Sequence, residues 1–98
     1  MNEFEEKIFN IVKDHRKERK YLVKGTTIDN PSWFPLKSIW FSEIFKILFP
    51  DLDPKKNVEK KQEVKKTLLK LEQEKKIDYG VGEPPFYILY EDRDKLKT

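Results

Sequence analysis

The sequence is poor in the residues on which most enzymes and secreted proteins depend. Its 98 residues include no cysteine, no alanine, one histidine and three glycines. Without cysteine there is neither a thiol nucleophile nor a disulfide, which favours a reducing compartment, and we expect a cytoplasmic protein. The opening segment MNEFEEKIFN is acidic and lacks the basic and then apolar pattern of a signal peptide.

The few remaining candidates for chemistry do not form a site. His15 lies on the apolar stripe of a predicted helix, which is typical of a packing residue rather than a catalyst. Gly80 and Gly82 lie in a predicted hairpin turn, not between a strand and a helix, so they do not form a dinucleotide-binding loop. The aspartates in the turns match no calcium-loop spacing, and no apolar run approaches the ~18 residues of a membrane span. We expect a non-enzyme that binds no metal or cofactor and crosses no membrane.

Charge and aromatic rings, by contrast, are abundant. Charged residues make up 40% of the chain and aromatic residues 13%. Since each aromatic side chain buries roughly 150–250 Å² on folding, the rings support a core in spite of the low hydrophobic content of 37%. The dense mixture of lysine and glutamate is typical of thermophile proteins. The length corresponds to one domain, and we expect residues 1–90 to fold and residues 91–98 to form a polar, frayed tail.

A first helix is predicted over residues 2–20. Phe4, Ile8, Ile11 and Val12 recur at spacings of three and four, which is the pattern of one helical stripe. Acidic residues precede basic ones along this segment, as the helix dipole favours. The basic run at its end is therefore interpreted as a helix C-terminus rather than as a nucleic-acid patch.

The middle of the chain alternates between loop, strand and helix signals. Residues 25–35, GTTIDNPSWFP, have the composition of a loop. Residues 34–40 fit a short strand with Leu36, Ser38 and Trp40 on one face. A short helix is predicted from Ser42 to about Phe49, where Pro50 ends it.

The last part of the chain predicts a long helix and a hairpin. Val64, Leu68 and Leu71 lie on one face of a helix that runs from residue 54 or 57 to residue 76. Residues 77–81 and 86–90 are rich in β-branched and aromatic side chains, and a glycine- and proline-containing turn separates them. The two segments therefore predict an antiparallel hairpin.

Residues 64–79, VKKTLLKLEQEKKIDY, and residues 80–87, GVGEPPFY, resemble the third helix and the wing of winged helix-turn-helix proteins of the archaeal and bacterial type. Residues 41–44, FSEI, are similar to the entry to the second helix of that family. The resemblance implies an α+β fold with three helices and a C-terminal β-hairpin wing, and a short strand before the second helix. In that family the third helix usually lies in the major groove of DNA, and the wing contacts the adjacent minor groove or backbone.

Positive charge is concentrated on the predicted third helix. Residues 55–76 contain nine lysines and four glutamates, whereas the rest of the chain is slightly negative. Lysine side chains neutralise phosphates and release counterions, and the absence of arginine here favours positioning contacts over base readout. We therefore predict a duplex-DNA binder, such as a small transcription regulator or a chromatin-associated protein. The residues predicted to contact DNA are Lys60, Lys61, Gln62, Lys65, Lys66 and Lys70.

Two other interpretations stay open. The lysines of the third helix also fit a solvated face that is stabilised by pairs with glutamates three or four residues away. Glu83 at the predicted wing tip would repel a phosphate, which favours a protein-interaction module, an adaptor or subunit of a larger assembly, that uses the wing and exposed aromatic rings. Trp33 and Phe34, beside a loop proline, are the predicted anchors for such a partner. A homodimer through the first helix is compatible with either function.

Overall fold

A computed structural model describes residues 2–22, 29, 33–80 and 84–97, without the side chains of Leu22, Phe34 and residues 94–97. These residues form a mixed α+β fold, as the sequence predicts, with three α-helices, a four-stranded antiparallel sheet and a terminal 3-10 helix. In chain order the elements are α1 (Glu3–His15), β1 (Lys17–Leu22), β2 (Trp33–Trp40), α2 (Phe41–Leu48), α3 (Val58–Gln73), β3 (Ile77–Gly80), β4 (Phe86–Leu89) and the 3-10 helix (Tyr90–Lys97).

The strands lie in the order β1-β2-β4-β3, and each neighbouring pair is antiparallel. β1 pairs with β2 from Lys17 opposite Ser38 to Leu22 opposite Trp33. β4 reaches β2 only at Ile39 and Trp40, so most of β2 is bonded to β1 alone. β3 and β4 form the predicted C-terminal hairpin with four residues in each strand.

The prediction of a helix over residues 2–20 is wrong beyond His15. The backbone of Arg16 is extended, with φ −64° and ψ 142°, and Lys17–Leu22 forms β1. Lysine, arginine and glutamate favour helix, but no apolar residue continues the helical stripe after Val12. Pairing of all six residues with β2 supplies tertiary hydrogen bonds that outweigh these intrinsic preferences.

The other predicted elements agree with the structure to within a few residues. α2 begins at Phe41, directly after β2, and α3 begins at Val58 after a turn over residues 54–56. α3 ends in a Schellman motif, because Lys75 has a φ of 60° and the amides of residues 75 and 76 bond to the carbonyls of Glu72 and Leu71 at 3.1 and 3.0 Å. Lysine therefore stands at the left-handed position that glycine usually occupies.

The sheet has apolar contacts on both faces. One face packs against the helices, with a cluster made by Ile8, Ile11, Val12, Ile39, Ile44, Phe45, Leu48, Val64, Leu68, Leu71, Ile77 and Leu89. The alternation of strand side chains places Leu36, Phe86 and Ile88 on the opposite face, where Tyr21 and Trp40 pack beside them. Leu36 and Ser38 are buried on this face, and Ile39 is buried on the helix-facing side.

The predicted polar tail folds back onto the sheet. Residues Tyr90–Lys97 form a 3-10 helix that lies against β3 and β4, and the amide of Tyr90 donates to the carbonyl of Lys76 at 3.1 Å. None of the described helices combines the length and apolar character that crossing a membrane requires.

Candidate nucleic-acid interface

The apolar stripe of α3 determines which of its side chains meet solvent. Val64, Leu68 and Leu71 are fully buried against the core. At 100° per residue, Gln62 and Lys66 point roughly 160° away from Val64. Both are exposed in the structure, as is Lys65 on the flank. These three predicted site residues therefore lie on the outer side of α3.

Two of the predicted lysines lie near aromatic rings at the two ends of α2, Phe41 in its first turn and Phe49 directly after it. The ammonium group of Lys60 lies 5.5 Å from the ring centroid of Phe49 and 3.7 Å from a carboxylate oxygen of Glu63. Lys65 lies 5.4 Å from the ring centroid of Phe41. Lys61 is half-buried. Lys60 and Lys65 thus lie along the border between α2 and α3, where their charge remains accessible to a ligand that covers both helices.

Lys70 has a structural partner on α1. Its ammonium group lies 2.6 Å from Oε1 of Glu5, whose residue is only 3% exposed. The same oxygen accepts from the side chain of Asn2 at 2.9 Å, and no described residue donates to Oε2. The hydrogen bond from Lys70 holds the pKa of Glu5 below its usual value, although burial acts in the opposite direction. Lys70 therefore joins α3 to α1, in addition to any role toward a ligand.

The outer side of α3 is not uniformly basic. Val58 and Leu69 are 55% and 52% exposed, and they share this side with Gln62, Lys66 and Gln73. A duplex that occupies this surface would meet cations, amides and apolar groups together. α3 contains no arginine, the residue that makes the commonest specific base contact, and its exposed apolar groups offer nothing to a phosphate.

A second group of residues joins β1 and β2 to α2, and we call it the Glu43 junction. It consists of the charged pair Arg19 and Glu43 and the aromatic Trp40, with Lys17 at its edge. The guanidinium of Arg19 lies 2.7 Å from Oε1 of Glu43, donates to the carbonyl of Ser38 at 3.1 Å and covers the Trp40 ring at 4.1 Å. Oε1 of Glu43 also accepts from the amide of Trp40 at 3.0 Å, in the first turn of α2.

The balance of forces on Glu43 keeps it ionised. Burial raises the pKa of this carboxyl, but the hydrogen bonds from Arg19 and from the Trp40 amide outweigh burial, so the pKa lies below its usual value. Next to the junction, the hydroxyl groups of Tyr21 and Ser38 are hydrogen bonded to each other. The start of β1, the end of β2 and the start of α2 are therefore joined by several polar contacts.

Sequence reasoning missed the charged residues of β1 and β2 as a surface. Glu18, Lys20 and Lys37 are exposed and lie on the face of the strands that also carries Ile39. The signal that was available is that no apolar residue continues the helical stripe over residues 16–20 and that Tyr21, which favours strands, follows them.

The predicted protein-binding anchors are described in part. Trp33 begins β2 and is 56% exposed. The backbone of Phe34 lies in β2, whereas its side chain is outside the described set, as are Glu83 and the rest of the predicted wing tip. Their proposed roles stay predictions.

Within the described ranges, no three histidine, aspartate or glutamate side chains come together as a metal site would require. Comparisons with models of protein families, with curated proteins and with solved structures give no match. The functional interpretation therefore depends on the geometry of α3, the Glu43 junction and the strands beside it.

Proposed function

We propose that this chain is a winged-helix protein that binds duplex DNA through α3, as a small transcription regulator or a chromatin-associated protein. The order of α1, β2, α2, α3 and the β3–β4 hairpin supports the winged-helix assignment, and β1 is an addition to that order. The strand before α2 and the C-terminal hairpin share one sheet, as a compact winged-helix domain needs. Together these features favour α3 as the element presented to DNA.

One observation carries the proposal. The apolar side of α3 is packed against the core, and Gln62, Lys65 and Lys66 are thereby held in solvent on a helix of 16 residues. Among the described residues, no carboxylate lies within 4.0 Å of the ammonium groups of Lys65 and Lys66. An exposed helix with unpaired lysines has the shape and charge that the major groove and its phosphates accommodate.

The test is fluorescence anisotropy of a labelled random-sequence duplex of about 25 base pairs, titrated at roughly 50 and 200 mM salt. We expect micromolar or tighter binding at low salt and a loss of about tenfold or more at high salt, because several phosphate contacts release counterions. Absence of binding at low salt would exclude the proposed function.

Placement of the surface is tested by a variant with Lys65→Gln and Lys66→Gln. It should weaken binding and reduce the salt dependence, while the fold, measured by circular dichroism, stays intact. The matched control is Lys7→Gln with Lys13→Gln on α1, since both lysines are exposed and the loss of net charge is the same. Equal weakening in both variants would show a general charge effect and would remove α3 from the interface. Lys70 is unsuitable for this test because its loss leaves Glu5 buried without its cation.

A second candidate function is supported by exposed apolar groups. Trp33 on β2, together with Val58 and Leu69 on α3, gives a protein partner three large side chains to cover. This adaptor function predicts negligible duplex affinity and an identified partner whose binding is lost in Trp33→Ala. A chain that sediments as a monomer and binds duplex DNA contradicts it.

A further inference from the structure

We infer that the two-stranded ribbon formed by β1 and residues 33–38 of β2 is a second contact surface for duplex DNA, which binds the phosphate backbone. The inference rests on the proposed function and adds to it an element that a winged-helix order does not contain. Its surface is the strand face that carries Lys20, Trp33 and Lys37.

The ribbon extends away from the helical core. Ile39 is 1% exposed. The residues on the same face toward the start of β2 are all exposed: Lys37, Pro35 and Trp33. β4 does not pair with this part of β2, so the ribbon is two strands wide. Six paired positions correspond to about 20 Å at about 3.3 Å per residue. A major groove about 12 Å wide admits a two-stranded β-ribbon.

Charge distinguishes the ribbon from the other hairpin. The ribbon carries four cations and one anion: Lys20, Lys37 and the anion Glu18 lie on the Ile39 face, and Lys17 and Arg19 lie on the other face. β3 and β4 contain Asp78 and neither lysine nor arginine. Phosphates are therefore attracted to the ribbon, and the strands of the C-terminal hairpin offer them no cation.

The ribbon cations also differ in whether a carboxylate of the chain already lies close to them. Arg19 is engaged with Glu43, and Lys17 lies 3.9 Å from the same carboxylate while its side chain remains 71% exposed. Within the described part of the chain, no carboxylate lies within 4.0 Å of the ammonium groups of Lys20 and Lys37. Lys20 and Lys37 are thus the cations most available to phosphates.

The Glu43 junction fixes the direction in which the ribbon points. Arg19 joins β1 to the first turn of α2, and its contact with the Ser38 carbonyl joins β1 to β2. A surface held in place before binding loses less conformational entropy when a ligand is bound. The ribbon is therefore preorganised for a rigid partner such as a duplex. The exposed indole of Trp33 lies toward the end of the ribbon that is far from the Glu43 junction.

The test compares Lys20→Gln with Lys37→Gln against the α1 control, Lys7→Gln with Lys13→Gln, in the same duplex titration. Glutamine is chosen because a glutamate at position 37 would face Glu18 across the strands. Each lost phosphate contact lowers the slope of log affinity against log salt by about 0.9. We expect the ribbon pair to lower it by about 2 and the control pair to leave it nearly unchanged.

Trp33 supplies an independent readout. Saturation with unlabelled duplex should quench the tryptophan emission of the wild-type chain and leave that of Trp33→Phe almost constant, because only Trp40 remains there. Circular dichroism of each variant shows that the fold is retained.

The outcomes separate the two proposals. If the wild-type chain does not bind duplex, the proposed function and this inference both fail. If it binds, and the ribbon pair behaves like the control pair while Trp33 emission stays constant, the ribbon is excluded and α3 remains. If the ribbon pair loses affinity and the α3 pair does not, the ribbon is supported and α3 is excluded. Tighter binding to a single strand than to a duplex would also overturn the inference.

Discussion

At the scale of single residues, Lys75 has a left-handed backbone conformation that its side chain disfavours. Its φ of 60° is the left-handed conformation that costs an L-residue about 1–2 kcal/mol. The Schellman hydrogen bonds at the end of α3 hold it there. We expect Lys75→Gly to raise the free energy of unfolding by about 1 kcal/mol, since glycine adopts this conformation without steric cost. Urea unfolding at neutral pH measures the change.

Lys76→Gly is the matched control for Lys75→Gly. It removes the same type of side chain one residue later, where the backbone is not left-handed. We expect no gain in stability from it. A gain of similar size in both variants would mean that loss of positive charge near the end of α3, rather than relief of backbone strain, is responsible.

At the scale of elements, Phe86 connects three strands of the sheet. Its ring lies over Gly80 of β3, so that a Cβ at that position would overlap it, and its centroid is 4.2 Å from that of Tyr21 in β1. We expect Gly80→Ala to lower the free energy of unfolding by about 1–3 kcal/mol, as overpacking does. The measurement is a double-mutant cycle by urea unfolding, with Phe86→Leu as the second change.

The cycle distinguishes the ring contact from a general glycine effect. In the Phe86→Leu background the branched chain can leave room for a methyl group, so Gly80→Ala should cost much less there. An equal cost in both backgrounds would show that the strand at position 80 needs glycine for a reason other than the ring.

The same scale shows which parts of the fold were predictable from sequence. α2, α3 and the β3–β4 hairpin follow from local periodicity and from prolines and glycines at their ends, and their bounds were predicted to within a few residues. β1 was not predicted, because a run such as KERKYL has helical preferences and only its partner strand, more than ten residues away, makes it extended. Because these residues were predicted as helix, the ribbon was not predicted, and neither was a surface formed by Lys20 and Lys37.

The site was predictable to a similar extent. The outward position of Gln62, Lys65 and Lys66 follows from the phase of the apolar stripe on α3. The pairing of Lys70 with Glu5 does not, since it depends on how α1 crosses α3. The direction of a side chain can be predicted from the sequence where its own helix determines it. It cannot be predicted where a contact with another element determines it.

At the scale of the whole molecule, two buried or half-buried carboxylates join elements that are distant in sequence. Glu5 joins α1 to α3, and Glu43 joins α2 to the sheet. The pKa of each lies below the usual value of 4.5, in the first case through the hydrogen bond from Lys70 and in the second because contacts with Arg19 and the Trp40 amide outweigh burial. In acid the unfolded chain therefore binds more protons at these groups than the folded chain does.

We expect the stability of the wild-type chain to fall as the pH is lowered through about 4.5 and below. Glu72 opposes this trend, because burial and the nearby Asp78 raise its pKa, and its protonation relieves a cost in the folded state. Urea midpoints at about pH 7 and about pH 4 measure the difference. A midpoint that is higher in acid would mean that Glu72 and other groups dominate over Glu5 and Glu43.

Lys70→Met isolates the contribution of Glu5 to this acid dependence. Without the ammonium group, burial becomes the largest influence on Glu5 and is opposed by the hydrogen bond with Asn2, so the pKa of Glu5 should rise and its protonation should cost the folded chain less. We expect a lower urea midpoint than wild type at about pH 7, and a smaller difference between the two proteins at about pH 4. Lys66→Met, which removes an exposed lysine without a close carboxylate, should follow the wild-type profile. Parallel profiles for all three proteins would show that the Glu5–Lys70 pair does not hold α1 against α3.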